Sequence, residues 1–164
     1  MFDLKRRFLL PFVAVAAAAA MTAPSQAAGT VVHVTLWDKG ADAAMPTNLG
    51  MDMGGKMSMA TMGIKAAPDS IKAGEVTFEV KDTSKDTIHE MIVARLVDPA
   101  KPLPYVANEN RVDEDRAGDL GEVSELDPGS SGALKLKLKP GTYILYCNVP
   151  GHYMAGMWTL LRVK

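Results

Sequence analysis

The residues with the most chemistry to offer lie near the C-terminus, in Tyr146-Cys147-Asn148-Val149-Pro150-Gly151-His152-Tyr153-Met154-Ala155-Gly156-Met157. Cys147 is the only cysteine of the chain; His152 follows five residues later and Met157 five after that. His89, far upstream, supplies a second imidazole. Two imidazoles, one thiolate and one weak thioether are the donor set of a His₂Cys copper centre with a long axial methionine. Thiolate and imidazole serve both oxidation states of copper, and the axial thioether tunes the potential without locking the geometry. Taken singly, each residue has a plainer role. A lone cysteine is more often a small buried hydrophobe, His152 a surface or capping residue, and Met157 a core residue. The joint spacing of Cys, then Pro-Gly-His, then Gly-Met outweighs these.

Such a site needs elements to hold it. Thr142 to Cys147 has the pattern of a strand, and Met157 to Val163 that of the last strand. His152 must then lie in the loop between them, so one hairpin loop gathers three candidate ligands. Thr87 to Leu96, rich in Ile and Val, forms a separate strand that brings His89 across. Val31 to Trp37 alternates, with Val32, Val34 and Leu36 on one face. Val76 to Val80 alternates cleanly, and Leu134 to Leu138 strictly, with its lysines toward water. Lys39 to Gly63 changes texture to Gly, Met, Asp and Asn and is expected to be a long loop. Ile64 to Ala73 carries the turn signals Pro68-Asp69-Ser70 and Ala73-Gly74. Asp98 to Asp127 is polar and acidic, a connecting excursion with one helical turn. Short strands broken by Gly and Pro indicate an all-β sandwich or barrel. A doubly wound α/β fold would require amphipathic helices between strands, and the pattern has none.

The N-terminus is expected to be a targeting segment. Lys5, Arg6 and Arg7 precede the apolar run Phe8 to Ala20, and Ser25-Gln26-Ala27 is a small-residue cleavage site. The run falls short of the ~20 residues needed to span a bilayer, so residues 1–27 are expected to be removed and the mature chain to be periplasmic. Arg6-Arg7 faintly resembles a twin-arginine signal but lacks the spacer before Phe8, which favours general secretion. Loss of Asp3, Lys5, Arg6 and Arg7 takes the formal charge from −1 to −3. That mild acidity argues against a nucleic-acid partner, which calls for a basic face. Ala28 to Lys164 is long enough for one domain with a real core. A single thiol in an oxidising compartment is open to stray pairing unless something occupies it, and a metal bond would.

The Cys147-to-Met157 spacing, the approach Asp86-Thr87-Ile88-His89 and the preceding Gly74-Glu75-Val76-Thr77-Phe78 resemble the cupredoxins, the family of azurin, plastocyanin and rusticyanin. The ligand loop is most similar to the rusticyanin type. The resemblance covers residues 64–164, leaving 28–63 as a first strand plus a Met-rich loop. It implies a Greek-key β-sandwich, one mononuclear type 1 copper and one-electron transfer. By position it implies His89, Cys147 and His152 as equatorial ligands and Met157 as the axial one. Glu90 departs from the pattern, since many members have Asn or Ser there to tie the two ligand segments together. It either accepts a hydrogen bond from a loop amide near Asn148 or faces solvent and leaves the surrounding shell looser. Met154 offers a second thioether, at an offset that suits the exposed rim better than the metal.

Five methionines fall within a short glycine-bearing stretch: Met51, Met53, Met57, Met59 and Met62. Soft thioethers favour Cu(I), so the stretch is either a weak second Cu(I) site or adaptable apolar filler. His33 is either a surface or interstrand histidine or an auxiliary copper ligand. Two functions of different class follow. One is a periplasmic electron shuttle, expected to be a monomer, whose redox partners dock transiently on an apolar patch of Pro150, Gly151, Tyr153, Met154 and Ala155 beside the exposed edge of His152. The other is a copper homeostasis or tolerance protein that sequesters or hands on Cu(I) through the methionines. A multicopper oxidase or nitrite reductase needs further histidines, and after His89 and His152 only His33 remains, so no enzyme is expected.

Overall fold

Val32, Val34 and Leu36 occupy alternate positions of the first strand and are all but fully buried, as period-2 alternation requires of a strand with one face in the core. The computed structural model describes residues 29–50 and 57–164. The leader expected at 1–27, Met51 and Met53 lie outside those residues, and of Met57 only the backbone is described. Among the described residues no helix is long and apolar enough to cross a membrane.

The strands are β1 (Thr30–Asp38), β2 (Met62–Ala67), β3 (Ser70–Ile71), β4 (Gly74–Asp82), β5 (His89–Leu96), β6 (Tyr105–Val106), β7 (Arg111–Val112), β8 (Asp119–Leu126), β9 (Ser131–Leu138), β10 (Gly141–Tyr146) and β11 (Trp158–Val163). One sheet runs β2-β1-β4-β9 and the other β3-β11-β10-β5-β8, with β6-β7 a small separate hairpin. The pairings β1–β4 and β11–β3 are parallel. The non-consecutive neighbours are those of a Greek-key β-sandwich, in line with the expected fold class. Phe78, Val80, Met91, Val93, Leu145 and Leu161 fill the space between the sheets with the inner row of β1.

A second cluster lies on the outer face of the five-stranded sheet. Ile92, Ala94, Ile144 and Tyr146 meet Leu103, Val112 and Ala117 from the 98–118 excursion. Strands β5 and β10 are therefore buried on both faces, which accounts for their continuous apolar character.

Two stretches differ from the sequence expectation. The stretch with turn signals at 64–73 contains β2 and β3. Strand β2 pairs with β1 from the sheet edge, and its sequence Met-Gly-Ile-Lys-Ala-Ala is poor in β-branched residues. The acidic excursion contains β8 besides its single helical turn α1 (Glu114–Ala117). Val123 is the only buried residue of that edge strand, so no apolar alternation announces it. Strand β1 forms where the alternation expects it and is hydrogen-bonded between β2 and β4.

Candidate metal centre

The hairpin of β10 and β11 has its last paired residues at Tyr146 and Trp158. Just beyond them the Cys147 N–H donates to the Met157 carbonyl (3.0 Å), so the two residues face each other at the base of the loop. Above that bond the chain coils tightly. The His152 N–H donates to Val149 O (2.9 Å), Ala155 N–H to Gly151 O (2.9 Å) and Met157 N–H to His152 O (3.0 Å). Gly151 and Gly156 turn with φ of +84° and +97°, a region open to glycine at little cost. This folds His152 back over Cys147.

His89 begins β5, on the same face as Met91 and Val93, and points between the sheets. Its Nδ1 lies 3.2 Å from His152 Nδ1, which in turn lies 3.4 Å from Cys147 Sγ. The candidate ligand atoms of the three residues lie within 4.8 Å of one another, and all three residues are buried. Met157 is fully buried beside them in the inner core. Met154 is half-buried on the rim.

The donor set fits one soft or borderline cation. Donor atoms 3.2–3.4 Å apart can share an ion at ordinary metal–ligand lengths of about 2.0–2.3 Å. Burial pushes the Cys147 thiol up to about 12, so a buried cation is what would hold it as thiolate. Burial, reinforced by the neighbouring His89, pulls His152 down to about 4 and keeps its imidazole neutral. His89 Nε2 lies 2.8 Å from the Asp38 carboxylate. Asp38 can only accept, so Nε2 carries the hydrogen and Nδ1 presents its lone pair to the cluster. Burial works to raise Asp38, but hydrogen bonds from His89 and Gly40 outweigh it and hold the carboxyl below its usual range. Asp82, fully buried at the end of the adjacent inner row, is held up by burial.

Neighbouring segments clamp the loop. Glu90 turns inward rather than to solvent: its Oε1 accepts from the Asn148 N–H (2.9 Å), while its own N–H points at Cys147 Sγ (3.5 Å). Burial pushes Glu90 up to about 7. The Asn148 side chain accepts from Val112 N–H (2.6 Å) and donates to Val112 O (3.0 Å) and Glu114 Oε1 (2.7 Å). Gly151 N–H donates to Asn110 O (2.8 Å). From the other side, Leu49 N–H donates to Met154 O (2.9 Å) and Trp158 Nε1–H to Leu49 O (3.3 Å). A Cβ on Gly50 would stand 2.7 Å from the Tyr153 ring, so only glycine lets the chain pass there.

This covering changes the expected docking patch. Tyr153 and Ala155 are 1 % and 0 % exposed and do not belong to the surface, and His152 is 6 % exposed. What reaches solvent is Pro150, with Gly151 and Met154 half-buried. His152 instead opens on a cleft of about 360 Å³ whose apolar lining includes Met45, Met62, Ile88 and Val149. Of the methionine stretch, Met59 is 58 % exposed while Met62 packs in the inner core. His33 is a surface interstrand histidine: its Nδ1 lies 3.1 Å from Glu79 Oε2 of the paired strand.

Asp38 and the Asn148 side chain were not singled out from sequence. Asp38 had a usable signal, standing two residues past Leu36 on the buried face of β1.

No family model matches the chain. Auracyanin-B of Chloroflexus aurantiacus is 26% identical over 121 residues, covering 63% of this chain and 52% of that protein. The chain thus spans about half the length of that curated relative. Among solved structures, auracyanin A of Chloroflexus aurantiacus superposes with a TM-score of 0.52 at 18% identity, over 83% of this chain and 99% of that one. Reduced rusticyanin gives 0.51 at 19% identity, over 84% and 82%. Auracyanin B gives 0.50 at 21%, over 82% and 88%. The chain therefore has the cupredoxin fold, similar in sequence to auracyanin-B and in structure to auracyanin and rusticyanin.

Proposed function

We propose that this protein is a mononuclear blue copper protein that carries single electrons, with His89, Cys147 and His152 as equatorial ligands and Met157 as the axial one. The convergence of three buried donors, one on β5 and two on the hairpin loop, carries this reading. It is supported by the relatives, since auracyanin A is described as a blue copper protein and auracyanin and rusticyanin are known in reduced forms. Bound copper would supply a one-electron Cu(II)/Cu(I) couple.

The chain's own part is to hold the donors still and dry. The four residues are fixed by two facing sheets and a loop tied on both sides, so little needs to move when the charge changes. Leu49 and Ala60, packed at Gly156, and the turned-in Tyr153 and Ala155 are all buried around the loop, a setting that would keep water from the donors. His152 is the ligand that reaches the cleft, and a redox partner would dock there through a small interface, below ~1,200 Å². The leader read in residues 1–27 supports a periplasmic setting, which is part of the same proposal.

The deciding experiment is to load the full chain with Cu(II), measure its stoichiometry and record its absorption. One copper per chain and an intense visible band that bleaches reversibly with dithionite are expected. A colourless protein with loosely held copper would refute the proposal.

Met157 should tune the site more than build it, because the axial bond is long and weak. Met157→Leu is expected to keep both copper and colour while raising the reduction potential, since a ligand favouring Cu(II) is removed. Voltammetry of the two loaded proteins checks this, and loss of all copper in the variant would show the axial residue to be another.

A further inference from the structure

The inner row of β1 runs Val32, Val34, Leu36 and then, at the same side-chain parity, Asp38. After three core hydrophobes the fourth place holds a carboxylate whose side chain is 4 % exposed. Both of its oxygens are engaged: Oδ1 accepts from the Gly40 N–H (2.7 Å) and Oδ2 from His89 Nε2–H (2.8 Å). Gly40 makes this possible by turning at φ +99° directly after the strand. Asp38 belongs to one sheet and His89 to the other, so the contact spans the sandwich at the end where the candidate ligands meet.

We propose that Asp38 is a positioning residue for His89, fixing its tautomer and aim, and that its charge biases the bound ion toward the oxidised state. This rests on the copper reading given above. The geometry supplies two separate effects. The first is orientation: a carboxylate on Nε2 leaves the Nδ1 lone pair, and no other ring atom, directed at Cys147 and His152. The second is charge. Cu(II) with one thiolate carries a net +1, which the buried Asp38 carboxylate cancels; with Cu(I) the same cluster is left at −1. In a low-dielectric site the neutral sum is the more stable, and a carboxylate bonded to the far nitrogen also strengthens the imidazole as a donor. Both push the potential down. Met157 pushes the same way, so the two residues act from different sides of the site.

The test has two arms that fail separately. In the metal-free wild-type protein, ¹⁵N-edited NMR should show His89 as a single Nε2–H tautomer with a downfield, slowly exchanging Hε2. That arm needs neither copper nor a variant. In the loaded protein, Asp38→Asn keeps the shape and an acceptor oxygen while removing the charge. It should shift the Cu(II)/Cu(I) preference at least tenfold toward Cu(I), about 59 mV upward for a one-electron couple, with the visible band retained. A His89 protonated at Nδ1 in the wild type would overturn the orientation claim, and an unchanged potential in Asp38→Asn would overturn the charge claim. A wild-type chain that takes up no copper would instead overturn the proposed function, and with it the role of Asp38 toward a metal, while the tautomer arm would still report the contact itself.

Discussion

Replacing Cys147 by Ser is expected to abolish the visible colour of the copper-loaded protein and to weaken its hold on copper by orders of magnitude. The intense band of such a centre comes from charge transfer between thiolate sulfur and Cu(II), and Cys147 is the only thiol in the chain. A serine hydroxyl is smaller, harder and far less acidic. Its proton would not be given up in a place where even the thiol is pushed to about 12 by burial. The backbone should tolerate the change. The Cys147 N–H to Met157 O bond that closes the hairpin does not involve the side chain, and two N–H groups, those of Glu90 (3.5 Å) and Val149, lose only a weak sulfur acceptor. Circular dichroism of the metal-free variant should therefore match the parent, while the absorption of the loaded variant shows no intense band. A Cys147→Ser protein that stays coloured would end the assignment of the thiolate.

The ligand loop was legible in the sequence because its chemistry is local. Cys147, His152 and Met157 stand on one hairpin loop, and spacing alone brings them together. His89 was reachable only through the fold, since nothing local to it points at a metal; its strand had first to be placed in the facing position. Strands β1, β4 and β9 were legible for a different reason. Each has one face in the core and one in water, so the side-chain period of two is written in their residues. Strand β8 has almost no buried face and β2 almost no β-branched residues, and neither could be seen. Asp38 was hidden by its type. A charged residue after Val-x-Val-x-Leu looks like the end of a strand; its parity with Leu36 was the one sign that it continues the buried row, and the bond to His89 shows why it does. The error in the docking patch has the same origin: Tyr153 and Ala155 look like rim residues until Tyr153 is packed against Leu103 and Gly50 and Ala155 is folded into the inner core.

Asn148→Ala should cost about 3 kcal/mol of stability, roughly a 10 °C fall in Tm for a domain of this size. The side chain is 1 % exposed and makes three hydrogen bonds, two to the Val112 backbone and one to Glu114. Alanine leaves the buried Val112 N–H and C=O without these partners, and an orphaned buried polar group costs about 1–3 kcal/mol. The loss is concentrated where it matters for the site. Asn148 follows Cys147 directly, and its backbone N–H is the one held by Glu90. With the side-chain clamp gone, Glu90 alone ties the start of the loop to β5, and the small β6–β7 hairpin loses its main link through Val112. Copper should then leave faster when a chelator competes, although all four proposed ligands are intact. Asn148→Asp gives a sharper comparison. It keeps an acceptor for the Val112 N–H but can no longer donate to Val112 O, and it sets a carboxylate against Glu114. It should therefore be no more stable than the alanine variant despite its closer shape. Thermal unfolding of the three metal-free proteins checks the order. If Asn148→Ala melts with the wild type, the three hydrogen bonds contribute nothing net, and the loop is held by Glu90 and the 39–50 segment instead.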